Sequence, residues 1–86
     1  PGPLGRSRKA IASWIRKNVM TTYHYAGTCR MGDDASAVVD PATLKVKGLS
    51  NVRVADASVM PWTPVSALNA PTMMIALRAA ETIARA

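Results

Sequence analysis

The last part of the chain places the tightest limit on its fold. Met73, Met74, Ile75, Leu77, Ala79 and Ile83 spread around most of the circumference of the helix predicted over 72–85. A helix apolar on several sides needs protein layers on several sides. The rest of the 86 residues offers only short apolar runs at 38–39, 44–47 and 52–55. A chain of this size buries only about 60% of its unfolded surface on folding. The missing core is therefore expected from another piece of protein. The opening Pro1-Gly2-Pro3, without an initiator methionine, reads as a cut or cropped start and points the same way.

Composition narrows the function classes. An apolar content of 49% belongs to a folded protein rather than a disordered one. Eleven Lys and Arg against five Asp and Glu give a net charge of +6, a balance that favours anionic partners. However, no aromatic residues are interleaved with Arg6, Arg8 and Lys9, and no nucleic-acid motif occurs, so a solvated basic face is expected and no nucleic-acid partner. The single cysteine, Cys29, excludes an internal disulfide and a cysteine-rich metal site, and is expected to be a buried, inert thiol; no metal is expected. No run approaches the ~20 apolar residues of a membrane span, so no transmembrane segment is expected. No signal peptide is visible, and the compartment is not legible; a soluble protein of the cytoplasm or periplasm is the expectation.

Three segments follow along the chain. Residues 1–22 hold a basic amphipathic helix, expected from 7 to about 20, with Ser7 as its cap. Ile11, Trp14, Ile15 and Val19 share one face, opposite Arg8, Lys9, Arg16 and Lys17. Such a helix can lie on a membrane, but its few apolar anchors suit ordinary packing on protein. Residues 23–50 begin with an aperiodic stretch bracketed by Gly27 and Gly32 and continue into short strands around a turn at Asp40-Pro41. Residues 51–86 hold the best strand candidate, 52–55, then a turn-rich loop, then the last helix. Pro71 is expected at that helix's first position, where its missing N–H costs nothing.

Three places could carry chemistry. His24, the one histidine, sits between Tyr23 and Tyr25 and can accept an alcohol proton near neutral pH; a structural histidine is the plain alternative. Asp56, followed by Ala57 and Ser58 at a strand's end, could accept hydroxyl hydrogen bonds while small neighbours let a ligand approach; the alternative is a simple turn. Asn69, Ala70 and Pro71 open the last helix, whose unpaired N–H groups and dipole favour negative charge; the alternative is an ordinary cap at Asn69.

Taken together, the motifs carry a resemblance. Tyr23-His24-Tyr25-Ala26-Gly27-Thr28-Cys29-Arg30-Met31-Gly32 resembles the histidine segment of glucose–methanol–choline oxidoreductases. Val38-Val39-Asp40-Pro41, Val54-Ala55-Asp56-Ala57-Ser58 and Asn69-Ala70-Pro71-Thr72 follow in that family's order and spacing. The resemblance covers nearly all of residues 13–86 and implies an FAD-dependent alcohol oxidoreductase, a dehydrogenase or oxidase. It implies that His24 is the base facing flavin N5, that Asp56 and Ala57 contact the phosphate and ribityl region of FAD, and that Asn69, Ala70 and Pro71 face the pyrimidine side of the isoalloxazine. No metal is implied.

Two departures accompany it. The family usually has a second His or Asn eleven residues after the aspartate, and that position is Ala67. The same fold with altered chemistry, as a lyase or on carboxylic acids, therefore stands beside alcohol oxidation, as does a non-catalytic subunit completing a flavoprotein. The family's N-terminal Gly-x-Gly-x-x-Gly unit does not occur in these residues. The resemblance thus implies an α/β fold: the C-terminal part of a Rossmann-like FAD-binding domain with some of the substrate-side region, incomplete and inactive alone. Its partners would be the N-terminal remainder of the same flavoprotein, in the same chain or a separate polypeptide, and a small-molecule alcohol.

Overall fold

The computed structural model describes residues 5–86. Helix α1, Arg8–Asn18, begins at Ser7, whose hydroxyl accepts from the Ala10 N–H at 3.2 Å. This satisfies one of the unpaired donors of the first turn. The helix stops two residues before the expected end at 20. Val19 is extended, its N–H donates to the Ile15 carbonyl, and the Asn18 amide donates to the Trp14 carbonyl at 2.8 Å, so last-turn acceptors are used up by cap contacts. No residue of α1 is buried, and Ile11, Trp14 and Ile15 form an exposed apolar stripe.

The strands expected over 38–48 and 52–55 are not present among the described residues. Each apolar run makes single bridges instead: Met31 with Val39 in parallel, Val39 with Val46 and Lys45 with Arg53 antiparallel. The hydrogen bonds of these bridges are sound, with Asp40 N–H to Lys45 O and Lys47 N–H to Val38 O both at 2.9 Å. Turns cut each ladder short. Asp40 Oδ1 accepts from Ala42 N–H, Thr43 N–H and the Thr43 hydroxyl, curling 40–43 into a turn from which Leu44 emerges at φ +58°. Gly48, at φ +85°, turns the chain again four residues later. The alternation that predicted strands is real, but no third segment extends the pairing of 52–55. The α/β expectation is corrected for these residues to two helices, a short 3-10 turn and isolated bridges.

Helix α2 runs Asn69–Ala84, so it starts earlier than the sequence suggests. Leu68 is the N-cap, and Pro71 is the third helical residue rather than the first. Proline is equally tolerated there, since the N–H of a third residue also lacks an intrahelical acceptor. Asn69 is consequently inside the helix and is not its cap. The Thr72 hydroxyl donates to the Leu68 carbonyl at 2.7 Å, bracing the entry.

The core is small. Val39 and Val59, both at 0% exposure, meet Leu44 and Ala79, with Cys29, Ile75 and Val54 packed around them. Cys29 is only partly buried, short of the fully buried thiol expected. Most of α2's apolar surface stays uncovered: Met73, Met74 and Leu77 are 60%, 67% and 64% exposed. The radius of gyration is 18.1 Å, against about 12 Å for a compact domain of this length. Among the described residues no helix is long and apolar enough to cross a membrane.

Candidate active site

The histidine segment is fastened to the Asp56 turn by backbone alone. Gly27 N–H donates to Ala57 O at 3.2 Å, Cys29 N–H to Ser58 O at 2.9 Å and Met31 N–H to Val59 O at 2.9 Å. Alternate residues of 27–31 thus address successive carbonyls of the 3-10 turn Ala57–Val59, with a turn at Thr28-Cys29 letting the segment follow it. Gly27 permits the first rung. Its φ is +82°, and a Cβ built on it would stand 3.3 Å from the Met60 carbonyl oxygen. Glycine alone takes both without strain.

His24 lies just before this ladder, exposed, in irregular backbone. The preceding Tyr23 is at φ +63°, a left-handed conformation that costs a side-chain-bearing residue about 1–2 kcal/mol. Its N–H donates to the Thr21 hydroxyl at 3.0 Å, which helps to hold the bend. The ladder and the bend set where the chain leads out of His24 relative to the Asp56 turn.

Asp56 caps the 3-10 turn. Its Oδ1 accepts the Ser58 N–H at 2.8 Å and also the Ser58 hydroxyl. These bonds, the hydroxyl first, hold the carboxyl below the ordinary carboxylate range. Both fall on Oδ1, so Oδ2 is left to other partners. The turn reading of this motif and the ligand reading are compatible. The sequence singled out Asp56 and Ala57 but not Ser58, although an aspartate two residues before a serine is a recognisable local turn pattern.

The start of α2 has no side-chain cap. The N–H groups of Asn69 and Ala70 have no acceptor among the described residues, Pro71 has none to offer, and Thr72 N–H bonds Leu68 O at 2.9 Å. Ala70 and Pro71 border an open apolar groove of about 520 Å³, with Met31, Met60, Trp62 and Met74 as its other principal walls. Hence the end of the histidine segment, the loop after the Asp56 turn and the start of α2 meet at one groove. His24, Asp56, Ala57 and Asn69 do not line it. Sequence periodicity did not single out Met31 or Trp62 as groove residues, because both lie outside regular elements.

Beyond the groove, the loop 30–36 is tied by the Arg30 guanidinium, which donates to both carboxylate oxygens of Asp34 at 2.8 Å. Asp34 is accordingly held far below the usual carboxylate range, by Arg30 first and Ser36 second. Lys47 Nζ adds a bond to the Asp34 carbonyl at 2.9 Å. This clamp keeps the far end of the ladder in shape. No group of three or more metal-ligating side chains occurs among the described residues. Ala67, in the loop before α2, is exposed.

Residues 1–76 match the family described as GMC oxidoreductase, through its C-terminal region. The chain is similar to an alcohol dehydrogenase [acceptor] of Pseudomonas putida, 53% identical over 85 residues, covering 99% of the chain and 15% of that protein. It is also similar to oxygen-dependent choline dehydrogenase 1 of Chromohalobacter salexigens, 47% identical over 96% of the chain. A further relative is the oxygen-dependent choline dehydrogenase of Staphylococcus saprophyticus, 42% identical over 96% of the chain. The chain spans about 15% of the length of each of these relatives.

Proposed function

This chain belongs to the glucose–methanol–choline (GMC) oxidoreductase family, and from that premise we propose that it is the histidine-bearing C-terminal part of an FAD-dependent alcohol oxidoreductase. The observation that carries the reading is the three-rung backbone ladder joining the His24 segment to the Asp56 turn. It makes one unit of the residues that resemble the family's base and its cofactor contacts.

The groups of this unit and of the α2 start suit FAD. Asp56 Oδ2, with Oδ1 already occupied by Ser58, suits a ribityl hydroxyl as donor. The unacceptored N–H groups of Asn69 and Ala70 suit a carbonyl oxygen that carries developing negative charge, and the α2 dipole adds to that preference. Ala57 leaves room beside the turn, and Pro71 keeps the helix entry rigid. In this reading 52–55 becomes an added strand of a Rossmann-like sheet contributed by the remainder of the flavoprotein. The same remainder covers the exposed face of α2.

Bound FAD supplies a hydride acceptor at N5. His24 would accept the hydroxyl proton of a small alcohol at a ring nitrogen, and the alcohol carbon, giving up its hydrogen as hydride, would be left as a carbonyl. The groove walls Met31, Trp62 and Met74 would offer the site an apolar side once further protein covers them. In the full-length flavoprotein, His24→Ala should lower kcat about 10²–10⁴-fold, the usual contribution of a general base. Turnover within a few-fold of the unsubstituted protein would sink the role of His24.

A second reading is favoured by Ala67. Its methyl group can neither hydrogen-bond nor polarise a substrate hydroxyl, so the same fold could serve a lyase or act on carboxylic acids. Anaerobic mixing with substrate separates the two: alcohol oxidation bleaches the flavin absorbance in stoichiometric amount, whereas a lyase reaction leaves it unchanged.

A further inference from the structure

Among the residues of the 3-10 turn, Ser58 bonds the Asp56 carboxylate as well as the histidine segment. Its hydroxyl and N–H both bond Asp56 Oδ1, and its carbonyl accepts the Cys29 N–H at 2.9 Å in the middle rung of the ladder. We propose that Ser58 is a positioning residue: its side chain fixes the Asp56 carboxylate so that Oδ2 is presented to a ribityl hydroxyl of the cofactor, while its backbone registers the histidine segment against the same turn. The inference rests on the FAD reading above and adds to it a division of labour within one residue.

The argument is geometric. A lone aspartate side chain at an exposed turn samples several rotamers, and each must be given up when a ligand binds. Two donors on one carboxylate oxygen restrict χ1 and χ2 before the ligand arrives, so the other oxygen waits in a fixed direction. Removing the hydroxyl leaves the Ser58 N–H bond and the Cys29 rung intact, because both are made by the main chain. The loss should therefore appear in cofactor affinity rather than in the placement of His24. That hydroxyl is also the first cause holding the Asp56 carboxyl below the ordinary carboxylate range, which is consistent with the same contact.

The test uses the full-length flavoprotein, stripped of FAD and reconstituted with FAD as the probe. Ser58→Ala should weaken FAD binding about tenfold, the scale of one hydrogen bond to a charged group. Ser58→Thr, which keeps the hydroxyl, should restore it to within about twofold of the unsubstituted protein. The apoprotein's melting temperature separates positioning from general damage: a merely structural serine would lower it in Ser58→Ala without a selective loss of FAD affinity. Unchanged FAD affinity in Ser58→Ala, or no rescue by Ser58→Thr, would overturn this inference alone. An unsubstituted protein that takes up no FAD would overturn the FAD reading itself, and this inference with it.

Discussion

Gly27→Ala isolates the contact that places the histidine segment. The substitution acts twice. An alanine at φ +82° meets the left-handed penalty of about 1–2 kcal/mol. It is offset by about 0.4–1 kcal/mol from the lower entropy of the unfolded chain. The added Cβ also stands 3.3 Å from the Met60 carbonyl oxygen, a main-chain atom that must yield by a few tenths of an ångström. Gly48 provides the control, since it has φ +85° and nothing within 4 Å of a built Cβ. Gly48→Ala therefore carries the same conformational cost without the contact. Both variants should lose about 1 kcal/mol of local stability by this reckoning. Only Gly27→Ala should disturb the first rung, Gly27 N–H to Ala57 O, and move His24 relative to the turn. Because a misplacement of about 1 Å can cost 10²-fold in rate, a shift of a few tenths should cost kcat about three- to tenfold. Steady-state kcat at saturating FAD and substrate, measured for both variants in the full-length flavoprotein, reads the difference. If Gly27→Ala and Gly48→Ala retain equal kcat, the ladder does not position the histidine.

Other substitutions probe the remaining structure of the same full-length protein. Val59→Ala removes buried methyl groups from a side chain at 0% exposure; it should cost about 2 kcal/mol including the cavity, read as a lower melting temperature. Leu77→Glu changes a residue that is 64% exposed here. If the outer face of α2 is covered in the assembled flavoprotein, the variant should nevertheless fail to accumulate in folded form, and normal yield and melting temperature would refute that covering. Asp56 is held below its ordinary value of 3.8, so its stabilising contacts are complete above the usual carboxylate range and are lost as pH falls through the depressed value. FAD release followed by fluorescence should accordingly begin at higher pH in Ser58→Ala than in the unsubstituted protein. Arg30→Gln should move Asp34 up toward the ordinary carboxylate range in a proton NMR titration, short of reaching it because the Ser36 bonds remain, while changing the melting temperature little, since exposed ion pairs contribute little.

Local chemistry was legible in the sequence wherever it was self-sufficient. Ser7 caps α1 as its residue type and position suggest, because a cap depends only on neighbours three residues away. The histidine and aspartate motifs were legible through their order and spacing, yet their joining through Gly27, Cys29 and Met31 was not. Main-chain bonds leave no mark on side-chain type apart from the glycine. The start of α2 was misplaced because proline suits any of the first positions of a helix, so Pro71 could not fix which one it occupied. The alternation at 44–47 was genuine, but a strand requires consecutive partners, and in this chain Asp40 and Gly48 turn the backbone before a second pair can form.

The two halves of the candidate site are held by different forces, and this difference decides what each can tolerate. The His24 segment and the Asp56 turn are joined by three main-chain bonds, which survive almost any side-chain change except at glycine. The start of α2 is located by packing alone, through Ala79 and Ile75 against Val39, Val59 and Leu44. That core is thin, and Met73, Met74 and Leu77 lie outside it. The N–H groups of Asn69 and Ala70 can therefore keep a fixed distance from Asp56 only if further protein clamps α2 from its open side. It follows that damage to the α2 contacts should loosen the helix N-terminus while leaving the ladder intact. On the proposed FAD reading, the flavin's pyrimidine side would lose its support before His24 lost its register.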